Sequence, residues 1–330
     1  MRLVVTGGSG FIGSNFIHHM FHSHGHGSCC EEFSEYFEIT GAGAGEIHVL
    51  NIDKMTYAAN SKFLNGVDEL ENYSFKRIDI ADEVSVRKAF EEFRPDTIVH
   101  FAAESHVDRS IESGNIFVRT NVLGTQVLLD EARRIGVERF VHVSTDEVYG
   151  SIDHGSFSED SRLNPASPYS ASKASSDLLA LSHFETYGLP VQVTRCTNNF
   201  GPNQHDEKLI PKIIDRVSKG ETIPIYGDGS NVRDWLFVHD HCSAIVKVMG
   251  QKRFGEVFNI GSGVEKTNLE IVEIILEKMG VSDDLIEFVE DRLGHDWRYS
   301  LDDSKIRSLG WKPKFSFERG LQLTIDNLRK

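Results

Sequence analysis

The sequence predicts an α/β chain, a doubly wound parallel sheet carrying a smaller mixed α/β lobe that binds substrate. Three observations point there. Short Val/Ile-rich runs alternate with segments of helical period through the first half of the chain, as buried parallel strands joined by helices require. A glycine-rich turn joins the first such run to the first helical segment, and after Val191 the alternation loosens into helices separated by loops and short strands.

Taken in order, RLVVTG reads as a strand and FIGSNFIHHMF as a helix, and EIHVLNID and SFKRIDI read as two further strands. DEVSVRKAFEEF is helical by period, DTIVHFAA is apolar and strand-like, a long amphipathic stretch runs through Leu129, and RFVHVST closes the series as a strand. VQVTRC adds one more strand, and helices are expected around Leu209–Lys219, Asp240–Met249, Leu269–Met279 and Phe317–Leu328. The expected division is residues 1–190 for the sheet domain and 191–330 mainly for the smaller lobe, with some segments returning to the sheet. Residues 23–45 stand apart, because a short loop normally suffices between a helix and the next strand.

The 330 residues carry a formal net charge of −15, which argues against nucleic acid or an anionic membrane as partner. Residues 23–46 hold five acids and no Lys or Arg, and residues 265–296 hold ten acids against three bases, so together they carry −12 of the −15. The rest of the chain is close to neutral, and the mean field says little about a cleft. Four cysteines without a framework spacing suit a reducing compartment. No apolar run nears a membrane span and glycines interrupt the first residues, so a cytoplasmic protein is expected.

Strand RLVVT runs into Gly7-Gly8-Ser9-Gly10-Phe11-Ile12-Gly13 and then a helix. Glycines there let the backbone approach a pyrophosphate seated on the helix N-terminus, which points to a Rossmann-type dinucleotide site. Asp53 closes the second strand, where a carboxylate accepts from ribose hydroxyls and repels a 2′-phosphate, favouring NAD over NADP. Lys54, a cation beside the ribose, pulls the other way.

Tyr169 and Lys173 lie four apart on a helical segment and share a face. A tyrosine is a poor base at its usual pKa of about 10; an adjacent ammonium stabilises the phenolate and suits it to take a hydroxyl proton. Upstream, RFVHVS ends in Thr145-Asp146-Glu147 at a strand carboxyl end, where ligands of open α/β sheets bind. Two adjacent carboxylates there offer one acid and one base, or alternatively a helix cap and a solvated turn.

TGGSGFIG, YSASK and VSTDEVYG together resemble the extended short-chain dehydrogenase/reductases. Within them, NIDKMTYAAN, HFAAESHVDRSI, STDEVYG, TNNFGP, EKLIP, PIYGDGSNVRDWLFVHD and LGHDWRY resemble the dTDP-glucose 4,6-dehydratases, from residue 6 to residue 299. That resemblance implies oxidation of the sugar at C4 by Tyr169 with Lys173 and Thr145, loss of the C5 proton to Glu147, and protonation of the 6-hydroxyl by Asp146. Hydride then returns to C6, so NAD is recycled and the net reaction is a dehydration of dTDP-glucose. The Asp146-Glu147 pair sets this apart from related 4-epimerases and decarboxylases, and the intact Tyr169, Lys173 and Thr145 argue against a non-catalytic NAD-binding regulator. A UDP-glucose 4,6-dehydratase stays open.

By motif, the resemblance places NAD against Gly7, Gly10, Phe11, Ile12, Gly13, Asp53, Lys54, Thr56, Asp79, Ile80, Ala102, Ala103, Glu104, Ser105, Thr120, Tyr169, Lys173 and Asn199. It places the sugar nucleotide against Ser105, Thr145, Asn198, Lys208, Leu209, Pro224, Tyr226, Arg233, Asn268, Arg292, His295 and Asp296. Arg233 and Arg292 have the chemistry of diphosphate clamps, or of surface ion pairs. The helices through 112–135 and 168–187 are those with which related enzymes form a homodimer. Leu293, where the family carries proline, His239 and the insertion depart from the pattern. Just before the insertion, at the helix end, His18 and His22 have a spacing that can hold zinc or nickel with a third ligand from the loop, where His24, His26, Cys29 and Cys30 lie. The irregular ligand spacing and the absence of an identifiable supporting carboxylate leave no metal assigned.

Overall fold

The computed structural model describes residues 1–21, 47–291 and 296–329. Seven strands form one parallel sheet: β1 (Arg2–Thr6), β2 (His48–Asp53), β3 (Tyr73–Arg77), β4 (Thr97–His100), β5 (Arg139–Thr145), β6 (Val191–Cys196) and β10 (Glu256–Ile260), in spatial order β10-β6-β5-β4-β1-β2-β3. Strands β1, β4, β5 and β6 are buried on both faces apart from their first residues in β1 and β5, which is why they read as continuous apolar runs rather than alternating ones. Chain order reverses between β1 and β4, and this opens a crevice beyond their carboxyl ends.

Helices cover both faces. On one side α1 (Phe11–Phe21) packs with α8 (Val238–Met249) around Phe16, Ile17, Met20, Ile245 and Met249. On the other lie α2 (Glu83–Phe93), α5 (Thr125–Ile135) and α6 (Pro168–Tyr187), around Phe90, Leu128, Leu129 and Phe140. Two short helices precede α5: α3 (Val107–Glu112) and α4 (Asn115–Phe117). α4 runs into α5 through a π-helical stretch, Val118–Gly124, a geometry often found at functional sites. The amphipathic stretch through Leu129 is therefore three helical segments.

The smaller lobe carries β7 (Asn198–Phe200), β9 (Val232–Phe237) and β11 (Glu265–Thr267) in one sheet, and β8 (Ile223–Tyr226) paired with β12 (Ile286–Val289). Helices α7 (Leu209–Lys219), α9 (Asn268–Met279), α10 (Ser304–Ser308) and α11 (Phe317–Leu328) complete it. Its own apolar core gathers Ile213, Ile214, Trp235, Phe237, Ile275 and Leu321. β6, β10 and α8, all beyond residue 190, pack with the large sheet. His239 stacks against Phe237 and Phe315, with ring centroids 5.2 and 6.3 Å away, so it serves packing at the start of α8. Among the described residues no helix is long and apolar enough to cross a membrane.

Candidate active site

The cleft begins at the end of β1. Gly7 has φ +72°, and a Cβ there would lie 2.7 Å from the backbone of Ala102 at the end of β4. A Cβ on Gly13 would lie 2.2 Å from the Gly7 carbonyl, so the turn and the first turn of α1 can close only on glycines. Asp53, at the end of β2 and 7% exposed, accepts from the Ser9 amide at 3.0 Å and the Met55 amide at 2.7 Å. Burial pushes its carboxyl up against the pull of these two donors. The Lys54 ammonium turns away to Asp79 at 2.8 Å, where Arg119 also approaches at 3.5 Å. These cations outweigh the burial of Asp79 and hold its carboxyl below the usual range.

The residues expected to transfer protons converge on the same cleft from two elements. β5 ends at Thr145, whose hydroxyl accepts from the Glu147 amide at 3.3 Å and donates to Asp146 Oδ1 at 3.1 Å. Thr145 thereby caps the short 3-10 turn Asp146–Tyr149, so the capping role and the placement of two carboxylates are one feature. Asp146 is 2% exposed, and its Oδ2 has no hydrogen-bond partner among the described residues. Burial, reinforced by the charge of Glu147, pushes its carboxyl well above the usual range and favours the protonated acid.

Helix α6 is built to hold its first turns rigidly. Ser167 and Ser170 form a reciprocal capping box, Pro168 starts the helix, and Gly188 ends it in the left-handed region. Tyr169 and Lys173, on those first two turns, are both buried. Lys173 Nζ donates to the Val143 carbonyl of β5 at 2.8 Å. Burial lowers Lys173 to about 8 against the opposing pull of Asp177. Burial, then Glu147, Cys196 and Asp146, pushes the Tyr169 phenol well up, while the Thr145 hydroxyl in hydrogen-bond reach lowers it.

Every residue read from the sequence as a dinucleotide contact lines this one cleft, together with Thr145, Asp146, Glu147, Asn198 and Lys208. Among the described residues, the other sugar-nucleotide candidates, Leu209, Pro224, Tyr226, Arg233, Asn268 and Asp296, do not line it. Pro224 and Tyr226 lie on β8, Leu209 and Asn268 start α7 and α9, and Tyr226 is 38% exposed. Arg233 is 5% exposed and donates to the carbonyls of Val232, Asp296 and Trp297 at 2.7, 2.9 and 3.2 Å. Its guanidinium thus anchors the backbone at Asp296, over the Tyr299 ring at 4.5 Å. Arg292, Leu293 and His295 lie outside the described residues, as do His22, His24, His26, Cys29 and Cys30. His18 directs its Nε2 to the Phe63 carbonyl at 2.7 Å, and among the described residues no cluster of three His, Cys, Asp or Glu side chains could hold a metal.

Several cleft residues escaped the sequence reading. Gln204, His205 and Glu207 line it from the loop after β7. Glu207 meets Arg109 and His106, each at 3.5 Å, and Arg109 covers the Tyr57 ring at 3.6 Å. These residues come from two loops and the start of helix α3, and no spacing in the sequence relates them. Tyr299, donating to Asp296 Oδ2 at 2.5 Å, was also missed; it lies in LGHDWRY, a string singled out as a whole without weighing its tyrosine.

A sequence model of the family described as GDP-mannose 4,6 dehydratase matches residues 4–324. A low-salt glycan biosynthesis protein from Haloferax volcanii is 49% identical over 326 residues, covering 99% of this chain and 98% of that one. A dTDP-glucose 4,6-dehydratase from Streptomyces antibioticus is 50% identical over 328 residues, covering 99% of this chain and 92% of that one. The crystal structure of a dTDP-glucose 4,6-dehydratase from Streptomyces venezuelae with NAD bound superposes with a TM-score of 0.91 at 47% identity, covering 100% of this chain and 97% of that one. With the parallel sheet, the glycine turn and the Thr145-Asp146-Glu147 and Tyr169-Lys173 groups in a single cleft, the chain belongs to the dTDP-glucose 4,6-dehydratase family of extended short-chain dehydrogenase/reductases.

Proposed function

We propose that this chain converts dTDP-glucose to dTDP-4-keto-6-deoxyglucose and water, with NAD held in the cleft throughout. The observation that carries the reading is the Asp146-Glu147 pair at the end of β5, sharing one cleft with Tyr169 and Lys173. The cleft fits the cofactor: its glycine turn has no room for a Cβ, the N-terminus of α1 opens onto it, and Asp53 presents a buried carboxylate with acceptor capacity beyond its two amide donors. NAD, when bound, would supply a reversible hydride acceptor for the oxidation at C4 and the later reduction at C6.

The residues divide the remaining work. Tyr169, backed by Lys173 and Thr145, takes the proton of the C4 hydroxyl. The resulting 4-ketone acidifies C5, and Glu147 takes the C5 proton. Asp146, kept protonated by burial and by the charge of Glu147, gives its proton to the C6 oxygen, which leaves as water. A proton returned to C5 completes the product. Residues 1–190 hold the dinucleotide, and 191–330 supply most of the sugar-nucleotide contacts, including Ser105's neighbour Lys208, whose ammonium donates to the Ser105 carbonyl at 3.0 Å.

A homodimer is part of the same reading. The exposed apolar side chains Val118, Leu123, Leu178 and Tyr187 on the helical segments through 115–135 and 168–187 support it. Cytoplasmic residence is supported by four cysteines whose positions form no disulfide framework.

The test is turnover of dTDP-glucose carrying deuterium at C4. A 4-keto-6-deoxy product with deuterium at C6 is expected; net accumulation of NADH, or a galactose product, would overturn the reading. Turnover of UDP-glucose under the same conditions measures the base preference directly.

A further inference from the structure

Behind the cleft, the interface between α6 and the sheet contains a buried ion pair. Asp177 and Arg195 are 0% and 3% exposed, and Arg195 Nε donates to Asp177 Oδ2 at 2.8 Å. His142 Nε2 of β5 lies 3.3 Å from the other carboxylate oxygen. Arg195 Nη1 donates to the Tyr149 hydroxyl at 2.7 Å, and that hydroxyl donates to Asn259 at 2.9 Å. Desolvating two charges is costly and an apolar pair of the same volume often does as well, so packing alone is a weak reason for this arrangement. Asp177 stands one helical turn beyond Lys173 and on the same face. Arg195 pairs in register with Ser144, next to the Val143 whose carbonyl holds the Lys173 ammonium.

We infer that the Asp177–Arg195 pair sets the charge of Lys173, making both members positioning residues for proton transfer at Tyr169. The inference rests on the role of Lys173 given above. The carboxylate favours the ammonium form of Lys173, and the guanidinium acts through that carboxylate, which it helps to hold ionised in a fully buried place. Burial lowers Lys173 to about 8, and Asp177 resists that lowering. Lys173 thus titrates within the working range, where a change in the charge of Asp177 alters how much of it is protonated.

The other groups facing Lys173 do not compensate. From its own helix come Tyr169 and Asp177, from β4 His100, from β5 His142, and from β6 Arg195 and Cys196, with Asp146 and Glu147 beyond Tyr169. Burial holds His142 down at about 4 and His100 well below its usual value, so both rings are neutral above pH 7. Burial likewise keeps Cys196 a thiol.

The experiment is kcat against pH for the whole enzyme and four variants: Asp177→Asn, Arg195→Met, the double variant, and Lys173→Met. Asp177→Asn should move the alkaline limb down by about one pH unit, and Arg195→Met, which leaves the buried carboxylate without its cation, should move it in the same direction. The double variant should move it no further than Asp177→Asn does, because Arg195 acts only through that carboxylate. A merely structural pair would lower activity without moving the limb. Should Asp177→Asn fail to fold, Arg195→Met and the double variant decide the matter. Superimposable limbs across the charge variants, with the limb lost in Lys173→Met, would overturn the inference alone. A limb that survives Lys173→Met would overturn the role of Lys173 and the inference with it.

Discussion

The Arg109 guanidinium lies 3.6 Å above the centre of the Tyr57 ring, joining the loop after β2 to the helix that follows the β4 turn. Glu207, from the loop after β7, meets Arg109 at 3.5 Å, and burial followed by the Glu207 charge pushes the Tyr57 phenol up to about 12. Two loops and a short helix at the rim of the cleft are tied at one point. Arg109→Ala removes the stacking contact, about 1 kcal/mol, and should raise NAD dissociation roughly fivefold with little change in kcat at saturating NAD. Fluorescence-monitored NAD release checks this, and an unchanged release rate would remove the contact from any part in retention.

Asp53 should decide between NAD and NADP. Asp53→Ala removes the acceptor for the ribose and leaves the Ser9 and Met55 amides without their carboxylate. NAD affinity should fall about 10- to 100-fold while NADP affinity changes less. Titration of both dinucleotides by calorimetry gives the ratio; equal losses for the two would show that Asp53 shapes the loop and does not read the ribose.

In the proposed reaction Asp146 acts only while it is protonated. Its carboxyl is pushed up by burial and by Glu147, so the elimination rate should decline as pH rises through that elevated value. Asp146→Asn should abolish this dependence and slow water loss by about 100-fold or more. Oxidation at C4 should persist, visible as a transient absorbance of reduced cofactor in a single turnover. Full steady-state turnover by this variant would refute the acid role.

A separate prediction concerns stability. His241, on α8, is fully buried, neither ring nitrogen has a hydrogen-bond partner among the described residues, and burial lowers it from 6.5 to about 3. The unfolded chain takes up this proton near pH 6.5 and the folded chain does not, so stability falls as pH drops from about 6.5 towards 3. At pH 5 the loss from this ring alone is about 2 kcal/mol. Urea unfolding at pH 7.5 and pH 5 should show a smaller difference in His241→Phe than in wild type; an identical difference would place the acid sensitivity elsewhere.

Much of this chemistry was legible in linear order. Gly7 to Gly13, Tyr169 with Lys173, and Thr145 to Glu147 each occupy a few consecutive positions, because a single turn, a helix face or a strand end holds each group together. The Arg109–Tyr57–Glu207 cluster was not legible, since residues 57, 109 and 207 meet only where two loops and helix α3 reach one rim. Arg233 illustrates a second limit. Its residue type suits a diphosphate, but the fold gives its guanidinium three backbone carbonyls to hold.

The sequence by itself determined the parallel α/β architecture, the glycine turn and the residues proposed to transfer protons, because local period and short motifs carry that information. Tertiary structure alone decided the ionisation of those groups. Asp146 becomes an acid by burial beside Glu147, Lys54 is turned away to Asp79, and Lys173 titrates near 8 in front of Asp177 and Arg195. Desolvation and charge pairing depend on what lies within a few ångströms in space, and the neighbours responsible come from strands and helices far apart in the chain.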